Sequence, residues 1–230
     1  MSNKKRKKQV AINNSAPKKN NTAPKENEKC GKDEITDFTR RKIISSVITV
    51  LLLAAIIVGV VFLVKSCNKY TVEISVVDYG KITVELDGSA APKTVKNFVS
   101  LVEDGFYDGL TFHRVMADFM IQGGDPKGNG TGNGPNTVVG EFEENGHYNP
   151  ISHERGVISM ARGNDPNSAS CQFFICNADS PHLDGKYAAF GRVISGMEVV
   201  DAITEDFAFW DGVIYNKTSQ PVIEYIKIVK

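Results

Sequence analysis

Cysteine and tryptophan are scarce: the 230-residue chain has four of the first and one of the second. Cys30 and Cys67 fall in an N-terminal segment unlike the rest, which leaves Cys171 and Cys176 in a C-x4-C spacing that fits no common zinc site. Cys176 closes the apolar run CQFFIC, where a buried free thiol is the expected state. A disulfide-framed module is excluded. The glycine-rich stretch GGDPKGNGTGNGP at 123–135 completes no G-x-G-x-x-G and is followed by no G-K-[ST], so it reads as a long surface loop and not a phosphate cradle. His147, His153 and His182 have no ligand spacing, and SHERG is not H-E-x-x-H. No serine sits in a G-x-S-x-G elbow. Metal-assisted chemistry and the common serine-hydrolase arrangement have no footing here.

Net charge is also missing, but its absence hides two opposite halves. Residues 1–42 carry 13 Lys/Arg against 5 Asp/Glu and almost no large apolar side chains, a composition that cannot bury enough surface to fold alone. Residues 70–230 carry 12 basic against 22 acidic residues, and Lys65 and Lys69 in the short linker 65–69 complete the balance. Between them lies IISSVITVLLLAAIIVGVVFLV, Ile43 to Val64, 22 residues without a charge. As a helix at about 1.5 Å per residue it spans a bilayer. It is too long for a signal-peptide apolar core of about 7–15 residues, and no small-x-small cleavage pattern follows, so a signal anchor is expected in preference to a cleaved leader or a buried core helix. VKSC at 64–67 loosely resembles a lipoprotein site at Cys67, against which Lys65 and the long leader argue. The clusters KKRKK and RRK precede the span, so the amino end is expected in the cytoplasm and the 70–230 domain outside, at the plasma membrane. Without aromatics or a folded frame, the basic tail reads as a solvated segment near anionic headgroups, not a nucleic-acid binder.

Within 70–230 the hydrophobic period switches repeatedly. YTVEISVV and KITVEL alternate about DYG, a hairpin pattern. APKTVKNFVSLVEDG places Val95, Phe98, Val99 and Val102 on one helical face, with Pro92 at the start and Gly105 past the end. Short strands are expected at 110–115, 118–122, 156–160, 172–176 and 187–193, with DGK at 184–186 turning between the last two. GMEVVDAI reads as a second helix and PVIEYIKIVK as a final strand. Many short strands and few helices imply an all-β, antiparallel barrel with helical caps.

FHRVMADFMIQGGDPKGNGTG, GVISMARGNDPNSASCQFFICNADSPHLDGKYAAFGRV and PVIEYIKI, in that order, resemble a cyclophilin-type peptidyl-prolyl cis-trans isomerase of a membrane-anchored, bacterial-like kind. The resemblance covers essentially all of 70–230 and implies an eight-stranded antiparallel barrel closed by two helices. It further implies that Arg114 is the catalytic arginine, with Gln122 holding substrate backbone and Phe119, Met120, Phe174 and Leu183 walling a proline pocket. Ala161, Arg162, Gly163 and Gln172 would line the adjoining groove. No metal or cofactor is required, the substrates would be proline-containing polypeptides, and a monomer is the expected working unit. His113 matches the family but is left off the catalytic set.

Three residues depart from the family pattern. His182 stands where well-studied eukaryotic members have tryptophan, Tyr187 where many have histidine, and Arg162 where asparagine is common. The first two bear on rate and on affinity for cyclosporin, the inhibitor associated with the family, and weak cyclosporin binding is expected. The third unsettles the preference for residues flanking proline. Two functions are compatible with these residues: an isomerase acting on exported proteins, and a tethered module or holdase that grips proline segments without turnover.

Overall fold

The computed structural model describes residues 27–66, 69–207 and 212–229. Most of the basic tail, Cys67 and the middle of the expected linker lie outside the described residues. The chain divides into an N-terminal unit and a second unit that carries all the strands, and each is described by itself.

Helix α1 (Asn27–Ser66) includes the expected span but starts 16 residues earlier than Ile43. Its segment Phe38–Gly59 is long and apolar enough to cross a membrane, with a mean hydropathy of 2.4. Ile43, Leu51, Ile57 and Val58 are all exposed, so this stretch buries no apolar face within the protein.

In the second unit, β1 (Lys69–Val76) and β2 (Gly80–Asp87) form the expected hairpin, pairing Val76 with Gly80. The turn between them needs the left-handed region twice, at Asp78 (φ 66°) and Gly80 (φ 119°). Helix α2 (Pro92–Glu103) buries Val95, Phe98, Val99 and Val102, the face read from the sequence. Its N-terminus is capped from a distance: the buried Glu141 carboxylate accepts the backbone N–H groups of Lys93 and Thr94. That placement satisfies two orphan donors and puts a negative charge at the positive end of the helix.

The remaining elements are β3 (Phe112–Met116), β4 (Met120–Gly123), β5 (Val157–Met160), β6 (Phe173–Cys176), β7 (Ala189–Ser195), α3 (Met197–Phe207) and β8 (Ile223–Ile228). The strands form one antiparallel sheet in the order β3-β4-β6-β5-β7-β2-β1-β8. Its ends meet just before β3, where Gly109 donates to the carbonyl of Ile223, Ile223 to that of Leu110, and Phe112 to that of Pro221. The barrel is therefore eight-stranded, and α2 and α3 are the two expected helices. Phe98 reaches into it, its ring 5.1 Å from Tyr107, 5.2 Å from Phe190 and 5.6 Å from Phe173.

One expected connection differs. Asp184-Gly-Lys186 does turn, but β6 and β7 do not pair; β5 lies between them. The intervening segment instead folds over the outside of the sheet through a 3-10 turn at Pro181–Leu183.

Candidate functional site

Strands β3, β4, β6 and β5 lie side by side, and their register sorts the side chains into rows. Val115, Ile121, Ile175 and Ile158 are cross-strand partners in one row, all fully buried in the barrel core. The neighbouring row reads Arg114, Gln122, Phe174, Ser159, and its side chains point the other way because a strand alternates its faces. Strict alternation would set Phe112 and Arg114 on one face. A bulge prevents it: Phe112 pairs with Gly123 and Arg114 with Gln122, so His113 is the extra residue. Phe112 and Val115 can then both face the core while Arg114 faces out.

On the outer face a second apolar cluster forms from Met120, Phe174, Cys176 and Leu183, with Met116, Phe119, Ala161 and Tyr187 packed against it. A cavity of about 110 Å³ opens here, lined by Arg114, Phe119, Met120, Gln122, Ala161, Arg162, Phe174, Leu183 and Tyr187. That leaves room for a small apolar group. Phe119 reaches the cavity from a tight turn with Asp118 at φ 54°. Asn177 pins this turn, donating its backbone N–H to the Phe119 carbonyl and its side-chain amide to that of Met116.

The Arg114 guanidinium is half-buried at the cavity edge. It donates to Met116 Sδ at 2.9 Å, makes a long 3.4 Å contact with Gln122 Oε1, and lies 6.0 Å from the Phe119 ring centre. No carboxylate among the described residues pairs with it. Its donors are thus weakly engaged and its charge is uncancelled.

A second cavity of about 230 Å³ adjoins the first, lined by Gln122, Gly130, Thr131, Asn133, Ala161, Arg162, Gly163, Ser168 and Gln172. Gln122 Nε2 donates to Gln172 Oε1 at 2.9 Å, and Gln172 Nε2 donates to the carbonyls of Gly132 and Gly130. Those carbonyls belong to the glycine-rich loop, which is more ordered than a plain surface loop. The buried Asp125 carboxylate accepts the backbone N–H groups of Lys127, Asn129 and Gly130. Burial raises the Asp125 pKa, but these donors outweigh it and hold the group below the usual carboxylate range. A chain of contacts therefore runs from Arg114 through Gln122 and Gln172 to a loop organised by Asp125. Reading that loop by its glycines alone missed this role.

Behind Phe174 lies an arrangement with no signal in the sequence. His153 Nδ1 is 2.9 Å from Asp184 Oδ1, and its Nε2 is 3.0 Å from Ser159 Oγ. The triad resembles that of a hydrolase, but Ser159 is fully buried and no substrate carbonyl can reach it. The His153 ring stacks on Phe174 at 6.1 Å, so the network supports the cavity wall. Burial lowers the His153 pKa although Asp184 pulls it upward. His113, buried in the bulge with neither ring nitrogen hydrogen-bonded among the described residues, is also lowered by burial, with Asp125 opposing and Arg114 reinforcing the shift.

The structure thus gathers Arg114, Gln122, Phe119, Met120, Ala161, Arg162, Phe174, Leu183 and Tyr187 around the first cavity, and Gly163 and Gln172 around the second. His182 lines neither. It is exposed at the rim, its ring 5.3 Å from Phe119. His147 contacts the Ala90 carbonyl, away from both cavities. The described residues contain no cluster of three or more potential metal ligands.

The class of protein to which this barrel belongs is given by comparison with known proteins. Residues 71–230 match the family model described as cyclophilin type peptidyl-prolyl cis-trans isomerase/CLD. The chain is 43% identical over 152 residues to the peptidyl-prolyl cis-trans isomerase ppi1 of Schizosaccharomyces pombe, covering 66% of this chain and 91% of that one. It is 45% identical over 128 residues to a Helicobacter pylori peptidyl-prolyl cis-trans isomerase, covering 55% and 76%. A crystal structure of a Cryptosporidium parvum cyclophilin type isomerase, in the presence of the dipeptide Ala-Pro, superposes with a TM-score of 0.62 at 32% identity, covering 70% of this chain and 99% of that one. The chain belongs to the cyclophilin-type peptidyl-prolyl cis-trans isomerase family.

Proposed function

We propose that this chain is a membrane-anchored isomerase that accelerates rotation of X–Pro bonds in polypeptides folding outside the cytoplasm. Uncatalysed, that step takes tens to hundreds of seconds, and its barrier of about 18–20 kcal/mol comes from delocalisation of the nitrogen lone pair into the carbonyl. In the twisted transition state the lone pair returns to the proline nitrogen, which becomes a better hydrogen-bond acceptor. A guanidinium aimed at that nitrogen binds the transition state more tightly than either ground state, and the difference lowers the barrier.

The observation that carries this reading is the half-buried Arg114 at the edge of an apolar cavity, without a carboxylate partner among the described residues. Met120, Phe174 and Leu183 would hold the proline ring, Phe119 would cover it, and Gln122 would hold substrate backbone. The groove lined by Ala161, Gly163 and Gln172 would take the flanking chain, and Tyr187 and His182 would border the site. Arginine suits the central role because it stays charged and presents several fixed donors. No covalent step is needed, and one chain supplies every group. A binding module without turnover has no use for a donor held at the rotating bond, which favours catalysis over simple grip.

The test is direct. The full chain in detergent should accelerate cis–trans exchange of a short X–Pro peptide, measured by NMR exchange or a protease-coupled assay; an exchange rate equal to that of the free peptide would overturn the reading. The anchored topology rests on the apolar span and the basic residues before it, with residues 1–42 as a cytoplasmic tail and 70–230 outside the plasma membrane. An impermeant thiol reagent applied to intact cells should label Cys67 and spare Cys30. The reverse pattern would invert the topology.

A further inference from the structure

We infer that Arg162 is a specificity-determining cation, which makes peptides with an acidic side chain two or three residues from the proline the preferred substrates. This deepens the isomerase reading and rests on it. Arg162 is one of three residues, with Gln122 and Ala161, that line both cavities, so it stands where the chain flanking a bound proline must pass. An extended peptide advances about 3.3 Å per residue, so two residues carry it roughly 7 Å from the ring, into the adjoining groove.

The guanidinium is fixed before any peptide arrives. Nε and Nη2 donate to the Lys186 carbonyl at 3.1 and 3.0 Å, and Nη1 donates to the Gly163 carbonyl at 2.9 Å. Its carbon lies 4.7 Å from the Tyr187 ring centre and 5.2 Å from that of Phe142. Of the five N–H groups an arginine carries, these contacts engage three and leave two for a ligand. A cation already held in place loses little further freedom on binding, and a planar fork suits a carboxylate.

The sign of the preference follows from the surrounding charges. Arg114 and Arg162 are the charged residues lining the two cavities; neither lining contains Asp or Glu, and neither arginine forms an ion pair among the described residues. Yet residues 70–230 carry 22 acidic against 12 basic side chains. The groove is thus a cationic spot on an acidic domain, and an acidic residue placed there meets the uncancelled charge of Arg162, the charged residue in its lining.

The experiment compares kcat/KM of the full chain for X–Pro peptides carrying Ala, Glu or Lys at each of the three positions on either side of the proline. At low ionic strength the best Glu peptide should exceed its Ala counterpart by about three- to tenfold, as expected for a partly exposed charge pair with a good fork geometry. In about 0.5 M salt the ratio should fall toward one. Arg162→Ala should abolish the preference, and Arg162→Glu should shift it toward Lys. A chain active on the Ala peptide but indifferent to Glu at every position would overturn the inference, as would a Glu preference that persists in Arg162→Ala. Failure on the Ala peptide as well would overturn the isomerase reading beneath it. The salt dependence of the unaltered chain stands even if a variant does not fold.

Discussion

The two faces of strands β3, β4, β6 and β5 differ in composition and in what they enclose. Inward, Val115, Ile121, Ile175 and Ile158 fill the barrel and meet no polar side chain in their row. Outward, the row one residue away holds Arg114, Gln122 and Phe174, with Met120 and Leu183 beside them. Both faces are largely apolar, but the outer one leaves a cavity and borders it with a cation. Apolar packing on that face places an apolar wall beside a half-buried guanidinium, a setting in which a charge acts more strongly than in water. The aromatic and aliphatic residues around Arg114 therefore do not make it a misplaced core residue; they form a separate cluster outside the core.

That comparison can be broken most severely on the inner face. Ile121→Ala should cost about 2–5 kcal/mol of unfolding free energy, the usual range for truncating a fully buried isoleucine, read from chemical denaturation. A cost near zero would mean that the inner row is not the stabilising one.

A second prediction concerns the bulge and the wall between the faces. His113 and His153 are buried with lowered pKa values, so the unfolded chain binds protons near its ordinary histidine pKa of about 6.5 while the folded chain does not. The unfolded state holds more protons in that window, and stability rises with pH. It should be fully present above about pH 7 and decline as pH falls below about 6.5, by at most about 1.4 kcal/mol per pH unit for each histidine. Thermal melts from pH 7.5 to 5 check this, and His113→Gln should flatten the slope. An unchanged slope in that variant would remove His113 from the account.

The smallest expected effect lies at the rim. His182 is exposed against Phe119 and lines neither cavity, so it should influence a large ligand more than a small one. Compared with an indole, an imidazole offers less apolar area and an N–H whose direction depends on tautomer. His182→Trp should tighten cyclosporin binding by about tenfold, equivalent to roughly 1.4 kcal/mol, while changing turnover on short peptides little. Equal affinities by calorimetry would show that this rim position does not set the drug response.

Much of this was legible in the sequence, for identifiable reasons. Helix α2 announced itself because Val95, Phe98, Val99 and Val102 repeat at helical spacing between Pro92 and Gly105. The β1–β2 hairpin did so through alternation on either side of a turn that needs positive φ. The cavity residues came from the family resemblance, because two-residue periodicity cannot foresee the bulge at His113 that turns Arg114 outward. Glu141 capping α2 and Asp125 organising its loop were hidden because a loop acid looks solvated until the fold buries it, and Glu141 is one of three glutamates within four residues. The His153–Asp184–Ser159 network joins residues 31 and 6 positions apart, and no local pattern reports such a meeting.

The central claim is that the outer row carries the chemistry independently of the inner row's stability. Arg114→Ala in the full chain, assayed for X–Pro exchange and for its unfolding midpoint in the same buffer, tests it most directly. The account predicts that kcat/KM falls by about 10²–10³, as when one preorganised donor is lost, while the midpoint stays close to that of the parent. Activity retained at the parental level, with the same fold, would contradict it.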